Sequence, residues 1–469
     1  MLSGVYLLSI SVTLLFVAVV SIYASKMVKN VQDFSVGGRK LGAALVGGSL
    51  VGAFVGGTST VGTAQAAYLT GLNGIWFTLG AGLSCWFLAL FLAKPLRNSQ
   101  VETIPQLIES SFGGQAAIWS TFFISVGIII QIAAQVLSAI PIVSLILNVS
   151  PLLAGTVVFS LIICCSIFGG VWSTGFVGIV KTLLLNTALL AGGFAAYTLA
   201  RGYSGFLEGL GSGPWFSLFP HGISVELGAG ISVIVGFIST QTYLQIIFSA
   251  RSAKSAQLGA VIAGALIPLT GLASVMIGMF MRISYPDINP ASALPLFILK
   301  HLNPWLGGVI LATLILSLVM TGAALTLGAA TIFTKNVYHK LRPRALDKEL
   351  IWICRFFILL VVIAVMISVT SNANAMILQW AFLSMALRGA TVFFPLLAVL
   401  FFKERVSQST GKWAVILAPL TVIVWSVLGI KQIDPLYPGM AVSFLILALG
   451  FKLKKENNLG HSSDPSARL

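Results

Sequence analysis

The sequence has few charged residues. They make up 8% of its 469 residues, whereas typical soluble domains carry about 25%. Hydrophobic residues account for 57%, and the mean hydropathy is +1.00. This composition excludes a soluble globular protein and predicts one that crosses a membrane many times.

Acidic residues and histidines are the scarcest of the groups that carry chemistry. The 12 Asp and Glu residues and the 4 His residues all lie in loops or at the boundaries of apolar runs. An intramembrane protease or acyltransferase needs an acid, a base or metal ligands at membrane depth, and a proton relay needs Asp, Glu or His there. We therefore predict that the protein is not an enzyme.

Cysteine is rare too. The four cysteines, Cys85, Cys164, Cys165 and Cys354, lie in or beside apolar runs, and no outer loop carries a pair. A disulfide framework is therefore not expected.

Apolar runs of spanning length are abundant. A helix needs about 20 apolar residues to cross the hydrocarbon core. Thirteen runs come near this length, at 4–25, 41–70, 73–93, 117–147, 152–170, 176–200, 227–249, 258–281, 304–333, 351–370, 374–402, 413–430 and 436–451. The first run is too long for a signal peptide and no cleavage motif follows it, so we expect it to remain as a span.

The basic residues predict the orientation. With the N-terminus outside, 21 of the 27 Lys and Arg residues fall on the cytoplasmic side and four fall outside. This asymmetry predicts a plasma (inner) membrane protein with a cytoplasmic C-terminus. It explains the net charge of +15 through contact with anionic lipid, without nucleic acid. Lys181 and Arg388 are exceptions, because they lie inside predicted spans.

Two spans are interrupted by glycine and polar residues. Residues 47–62 contain six glycines and a Thr-Ser-Thr run, and the span 227–249 contains Ser-Thr-Gln-Thr-Tyr near its middle. Backbone groups freed in hydrocarbon cost several kcal/mol unless protein, water or a ligand satisfies them. The two interruptions are five spans apart, which predicts an inverted repeat with a substrate between two broken helices. Packing of glycine between helices is the alternative explanation.

The predicted organisation therefore has six parts. They are an N-terminal helix and lead-in (1–40), a first five-helix repeat (41–200), an outer loop (201–226), a second inverted repeat (227–402), two further helices (403–455) and a disordered cytoplasmic tail (456–469).

Four motifs resemble those of the sodium/solute symporter family. They are Asp-Phe-Ser-Val-Gly-Gly-Arg-Lys-Leu-Gly at 33–42, Thr-Ile-Pro-Gln-Leu-Ile-Glu-Ser-Ser-Phe-Gly at 103–113, Phe-Gly-Gly-Val-Trp-Ser-Thr-Gly at 168–175 and Ile-Phe-Thr-Lys-Asn-Val-Tyr at 332–338. The resemblance implies an all-α, leucine-transporter-like fold. In that fold a ten-helix core follows one extra helix and precedes two more, which agrees with the thirteen runs.

The resemblance also implies a Na⁺ site. Its ligands map to the carbonyls of Gly52, Val55 and Ser317 and to side chains at Met320 and Thr321. Met320 departs from the family pattern, because a thioether is a poor ligand for a hard cation. One side-chain ligand is therefore expected to be missing.

Lys181 is a second departure. The family often has Asp and Gln where this sequence has Gly178 and Lys181. Three roles remain open for the lysine: its ammonium reaches the cytoplasmic surface, replaces the ion and carries a coupling proton, or contacts an anion or water-lined surface.

Arg388 lies near the centre of its predicted span. Without an intramembrane acid, its partners are backbone carbonyls, a helix C-terminal end or an anionic group of the substrate. Because guanidinium binds carboxylates through two parallel hydrogen bonds, Arg388 favours an anionic or zwitterionic solute.

Other polar and aromatic residues of the interrupted spans and of the run 117–147 are candidates for binding the solute, or for bonding helices together. They are Phe54, Thr58, Ser59, Gln131, Gln135, Thr240, Gln241, Tyr243 and Gln245. Phe54 stands where sugar-binding members often have a polar residue, which argues against a sugar.

The sequence thus predicts a cation-coupled secondary symporter that imports a small solute across a lipid bilayer by alternating access. Na⁺ is the expected coupling ion. Proton-coupled or uncoupled transport, and a channel or sensor, are the alternatives.

Overall fold

Long apolar helices make up most of the molecule, since backbone groups in hydrocarbon must find their hydrogen bonds within the chain. The computed structural model describes residues 4–25, 39–370, 376–402, 405–430 and 433–451. Within these ranges the only β features are two isolated bridges, Leu41–Ala250 and Val406–Phe451. The predicted tail and residues 26–38 of the predicted lead-in lie outside the described residues.

The described residues form α-helices that we number in chain order. They are α1 (Gly4–Ser25), α2 (Ala43–Phe54), α3 (Thr63–Thr70), α4 (Trp76–Phe87), α5 (Ala93–Asn98), α6 (Ile104–Leu147), α7 (Pro151–Leu199), α8 (Gly202–Leu210), α9 (Ile223–Ile238), α10 (Gln241–Phe248), α11 (Ala253–Ser284), α12 (Ala293–His301), α13 (Pro304–Phe333), α14 (His339–Leu341), α15 (Asp347–Thr370), α16 (Ile377–Phe401), α17 (Gln408–Val427) and α18 (Leu436–Leu449).

Short irregular helices join several of them. Three are π-helical, at Thr58–Gly62, Leu88–Leu92 and Thr334–Tyr338, and three are 3₁₀-helical, at Gly71–Ile75, Pro214–Phe216 and Pro290–Ser292.

The molecule is a multi-pass membrane protein by the length and composition of its helices. Among the described residues, seven helices are long and apolar enough to span a bilayer, or up to nine if each of two bent pairs is one span. The expected all-α class is confirmed. The predicted number of thirteen spans is not confirmed by this count.

The fifth and sixth predicted spans, 152–170 and 176–200, differ from the sequence prediction. They form one helix, α7, which continues through Gly169 and Gly170 between the two predicted spans. After Pro151 the segment contains no proline, and a pair of glycines weakens a helix without necessarily ending it. At about 1.5 Å per residue, the 49 residues of α7 exceed the thickness of the hydrocarbon core.

The interior consists of the long helices that flank the interrupted ones. In their most apolar stretches, α6 has 72% of its residues buried and the span that begins with α13 has 78%. The corresponding fractions are 28% in α15 and 33% in α17. α6 and α13 therefore form the centre, whereas α15 and α17 lie at the periphery.

Two stretches of the chain have the same order of elements. In the first, α2 and α3 are followed by α4 and α5, and the beginning of α6 is then set off by a kink at Gly113 (φ 81°). In the second, α9 and α10 are followed by α11 and by the short α12, which precedes α13. Each stretch begins with an interrupted helix.

Candidate functional site

The first interrupted helix is broken at Val55. α2 ends at Phe54, Val55 is extended (φ −74°, ψ 98°), and helical structure resumes with the π-helix Thr58–Gly62. Gly57 is closely packed, because a Cβ atom there would lie 1.9 Å from Leu318 Cδ2 and 2.0 Å from Ser138 Oγ and would displace these side chains. Close packing therefore explains part of the glycine-rich sequence.

The backbone groups freed by this break find partners. Gln135 Oε1 accepts hydrogen bonds from the N–H groups of Gly57 (2.8 Å) and Thr58 (3.3 Å). Ser59 Oγ accepts one from the N–H of Gly56 (3.0 Å). Gln135 and Ser59 thus satisfy the first N–H groups of the second half-helix, where the helix dipole is positive.

Four of the five residues predicted to bind a cation meet at this break. The hydroxyl of Ser317 donates to the carbonyl of Val55 at 2.7 Å, and that of Thr321 to the carbonyl of Gly52 at 3.4 Å. Ser317 and Thr321 are four residues apart on α13, so they share one helix face. Both are at most 1% exposed.

Met320 and Lys181 are not part of this described contact. Met320 is half-buried, whereas its neighbours Val319 and Thr321 are buried. Lys181 belongs to α7, but its side chain lies outside the part of the chain that the structure describes. The hydroxyl of Ser317, for which the sequence predicted a role through its carbonyl, is the second side-chain oxygen at the break.

The second interrupted helix is broken at Ser239 and Thr240. α9 and α10 meet at an angle of 46°, and Thr240 between them is extended (φ −97°, ψ 120°). The hydroxyl of Thr240 donates to the carbonyl of Gly236 at 2.6 Å. Both interruptions predicted from the sequence are therefore breaks in the helices.

Arg388 connects the two breaks. Its side chain is 0% exposed, and Nη1 donates to Thr240 Oγ1 at 2.6 Å. Nη2 donates to Gln131 Oε1 at 3.3 Å and to Ser384 Oγ at 2.8 Å. Gln131 Nε2 in turn donates to Thr58 Oγ1 at 3.4 Å.

The partners of this guanidinium are neutral. Nε donates to the carbonyl of Ser384 at 3.1 Å, and Nη2 also contacts Met385 Sδ at 3.3 Å. Within the described residues, the three Lys or Arg pairs with carboxylates and the contact of His221 with Glu226 all lie elsewhere. A permanent cation in the interior, held by neutral oxygens, is costly and suits a site for an anionic ligand.

Aromatic rings fill the space between the breaks. Phe54 stacks on Phe77 (centroids 5.0 Å apart), and Phe237 stacks on Tyr243 (4.1 Å). Phe54 and Tyr243 face each other at 6.0 Å. Phe77 and Phe237 are not among the residues predicted to bind the solute, because aromatic residues in a span are by default packing residues.

Gln241 lies in a different place from the other candidates. Its Oε1 accepts from the N–H of Ile104 at 2.8 Å, and its Nε2 donates to the carbonyl of Glu102 at 3.0 Å. The side chain therefore caps the beginning of α6, and no described contact joins it to Arg388.

The two ends of the bundle differ. At one end a cavity of about 870 Å³ opens beside α9 and α16. We call this cavity the vestibule. Phe382 contributes to its wall and contacts Phe77 (centroids 5.8 Å apart), so the aromatic rings between the two breaks lie directly below the vestibule. At the other end, ion pairs join α6, or the residues just before it, to the end of the α13 span. Glu102 pairs with Lys335, and Glu109 with Lys340 at 2.5 Å.

Known proteins match both the sequence and the fold. The model of the sodium:solute symporter family matches residues 34–417. The osmoregulated proline transporter OpuE of Bacillus subtilis is 23% identical over 464 residues, covering 93% of this chain and 92% of the relative. The sodium/proline symporter of Haemophilus influenzae is also 23% identical, covering 89% of this chain and 88% of that protein.

A solved structure has the same fold. A substrate-bound, outward-open Na⁺-coupled sialic acid symporter aligns with a TM-score of 0.80 at 15% identity, covering 96% of this chain and 97% of that one. It has the leucine-transporter-like fold that the sequence predicted. The relatives are transporters, so the prediction of a non-enzyme is confirmed. The chain belongs to the sodium:solute symporter family.

Proposed function

We propose that this protein is a Na⁺-coupled symporter that imports a small anionic or zwitterionic organic solute by alternating access. The observation that carries the proposal is the pair of broken helices joined through the buried guanidinium of Arg388, with four oxygen-bearing residues at the first break. It extends the family membership to a coupling ion and a class of solute.

The oxygens at the first break fit Na⁺. The carbonyls of Gly52 and Val55 and the hydroxyls of Ser317 and Thr321 are neutral, as suits a singly charged hard cation. In the proposed ion-bound form each hydroxyl directs a lone pair at Na⁺ instead of donating to the carbonyl. Ser317 Oγ then supplies the oxygen that Met320 does not.

The surroundings of Arg388 favour a carboxylate. Proline and sialic acid, which appear in the names of the relatives, both carry one. A carboxylate would replace neutral partners of the guanidinium by a bidentate ion pair, which is stronger. The rings of Phe54 and Tyr243 would then contact the apolar part of the solute.

The vestibule and the ion pairs support one conformation of the transport cycle. In the proposed orientation the vestibule faces the outside, and Glu102, Lys335, Glu109 and Lys340 close the cytoplasmic end. We also propose the plasma membrane as the location, the N-terminus outside, and the two stretches that begin with broken helices as the inverted repeats.

Uptake into proteoliposomes tests the proposal. The purified full-length protein is given radiolabelled L-proline, sialic acid, myo-inositol or choline under an imposed Na⁺ gradient, an imposed proton gradient, or neither. We expect accumulation of a carboxylate-bearing probe under the Na⁺ gradient. Accumulation of only myo-inositol or choline would contradict the solute class.

Uptake under the imposed proton gradient tests whether Lys181 replaces the coupling ion. Accumulation driven by protons and abolished in Lys181→Gln would favour a lysine that replaces the ion. Accumulation driven by Na⁺ and unchanged in Lys181→Gln would exclude this role.

A further inference from the structure

A small space lies between α2, α10 and α13. Its volume is about 20 Å³, room for about one water molecule or one bare monovalent cation, and far too small for an organic solute. The polar residues around it are Ser49, Thr242 and Gln245, one or two from each of two interrupted helices. We call it the inner cavity.

The hydroxyl of Ser49 indicates that the inner cavity holds a ligand. Ser49 is 4% exposed, and its Oγ has no hydrogen-bond partner in the described part of the chain. A serine in a helix commonly donates to a carbonyl of its own helix, as Ser84 does to Gly80. A buried hydroxyl without a partner is unfavourable, so an atom in the cavity is expected to satisfy it.

The inner cavity is one helical turn from the proposed Na⁺ oxygens. Ser49 precedes Gly52 by three residues on α2, and Ala324, which also lines the cavity, follows Thr321 by three residues on α13. Three residues correspond to about 4.5 Å along a helix. Following α13 past Ala324 leads to Lys335, so the cavity lies on the side of the ion pairs, away from the vestibule.

The ligands available there suit a cation that stays briefly. The hydroxyls of Ser49 and Thr242 and the side-chain carbonyl of Gln245 are neutral oxygens from three positions around the space. The carbonyl of Ala324, which accepts from Thr242 Oγ1 at 3.5 Å, supplies a fourth. A pathway site must bind an ion well enough to admit it and weakly enough to release it.

We propose that the inner cavity is a transient second site for Na⁺, which the ion occupies after leaving the oxygens at the first break and before reaching the cytoplasmic end. This inference rests on the proposed function, because it requires Na⁺ at the first break.

Two measurements on the full-length protein test the proposal with Na⁺ itself as the probe. One is equilibrium binding of radiolabelled Na⁺ to the purified protein, and the other is exchange of radiolabelled Na⁺ into proteoliposomes loaded with unlabelled Na⁺. The variant is Ser49→Ala. The matched control is Ser443→Ala, which removes another buried hydroxyl without a described partner, on the distant α18.

For Ser49→Ala we expect exchange to slow by about tenfold while equilibrium binding changes by less than about twofold, because only the transient site loses a ligand. Ser443→Ala should change neither. Gln245→Leu should slow exchange in the same way. Normal exchange in Ser49→Ala would overturn the proposal and leave a water-filled cavity.

Two other results would also overturn it. If Ser49→Ala weakens binding and exchange equally, Ser49 acts on the first site and no second site is needed. If the wild-type protein neither binds nor exchanges Na⁺, the proposed function itself fails, a result that is visible before any variant is made.

Discussion

Two hydroxyls on one face of α13, those of Ser317 and Thr321, reach carbonyls of the first break. Met320 stands where a hydroxyl was expected, but Ser317 Oγ reaches the carbonyl of Val55 at 2.7 Å. Position 317 is one turn from Thr321, and both hydroxyls contact carbonyls of the break, whereas no described contact joins Met320 to it. Under the proposed function, Ser317 supplies the side-chain oxygen that position 320 lacks.

Removing one of these hydroxyls should weaken Na⁺ binding. Thr321→Val preserves the shape and removes an oxygen from a site for an ion, a change of about 1.5–3 kcal/mol, or about 10- to 100-fold in affinity. The measurement is the Na⁺ concentration that gives half-maximal uptake. Met320→Leu is the matched control and should stay within about twofold; an equal loss in both variants would contradict the assigned ligand set.

Arg388 should determine whether a carboxylate is accepted. Arg388→Gln removes the charge and should lower uptake of the carboxylate-bearing probe by at least about 30-fold, since losing one partner of a buried charged pair costs about 2–5 kcal/mol. Arg388→Lys keeps the charge but lacks the planar guanidinium, so its uptake should lie between that of the wild type and that of Arg388→Gln. The measurement is uptake alongside equilibrium Na⁺ binding.

Na⁺ binding separates this role from a structural one. If Arg388→Gln still binds Na⁺ and elutes as a folded species, the loss concerns the solute. If it loses Na⁺ binding and aggregates, Arg388 serves mainly to hold α16 against α9 and α6, which is the other role that the sequence left open.

At the level of whole helices, the two breaks could be predicted because glycine and hydroxyl residues inside an apolar run are unfavourable in lipid unless they serve a purpose. The contacts that each polar side chain makes could not be predicted. Gln131 and Gln135 both reach the first break, yet Gln241 caps α6 instead. Such differences depend on how neighbouring helices rotate and pack, which one sequence does not encode in a local pattern.

The ion pairs between α6 and the end of the α13 span should hold the cytoplasmic end closed. Glu102→Gln removes one partner of Lys335, and both side chains are 21–23% exposed, so the pair is worth about 1 kcal/mol. We expect about a fivefold faster reaction of a cysteine placed at Ala53, beside the inner cavity, with maleimide in inside-out vesicles.

The control for this experiment is Arg342→Gln. It breaks the ion pair with Glu349, which joins α15 to the nearby segment before it and does not bridge α6. All variants carry replacements of the four native cysteines. If Arg342→Gln accelerates labelling as much as Glu102→Gln, the effect is a general loosening and the closing role is wrong.

For the molecule as a whole, composition predicted a helical membrane protein, and the family motifs predicted the fold. The number of spans was harder, because hydropathy does not distinguish one long helix from two short ones. α7 illustrates this, since no proline marks an end between 151 and 199. The vestibule and the inner cavity could not be predicted from the sequence, because each is lined by residues from segments far apart in the chain.

The orientation of the whole chain can be measured directly. The excess of basic residues predicted on one side is expected to keep that side in the cytoplasm. A membrane-impermeant maleimide should therefore label Glu208→Cys in intact cells and Leu341→Cys only in inside-out vesicles. Both positions are exposed. The cysteine-free protein into which each cysteine is introduced serves as the control without labelling. The reverse pattern would invert the topology.

The buried charge of Arg388 has a thermodynamic consequence. Through Gln131 it belongs to the same hydrogen-bonded chain as Thr58, three residues after Val55. Two like charges in a protein interior repel each other, and the repulsion falls with their separation and with the effective dielectric constant. Under the proposed function, the guanidinium of Arg388 therefore lowers the affinity for Na⁺ while no solute is bound. A bound carboxylate neutralises that guanidinium and removes the repulsion. Because linkage is reciprocal, Na⁺ must then increase the affinity for the solute by the same factor, so a single side chain makes the two ligands cooperative.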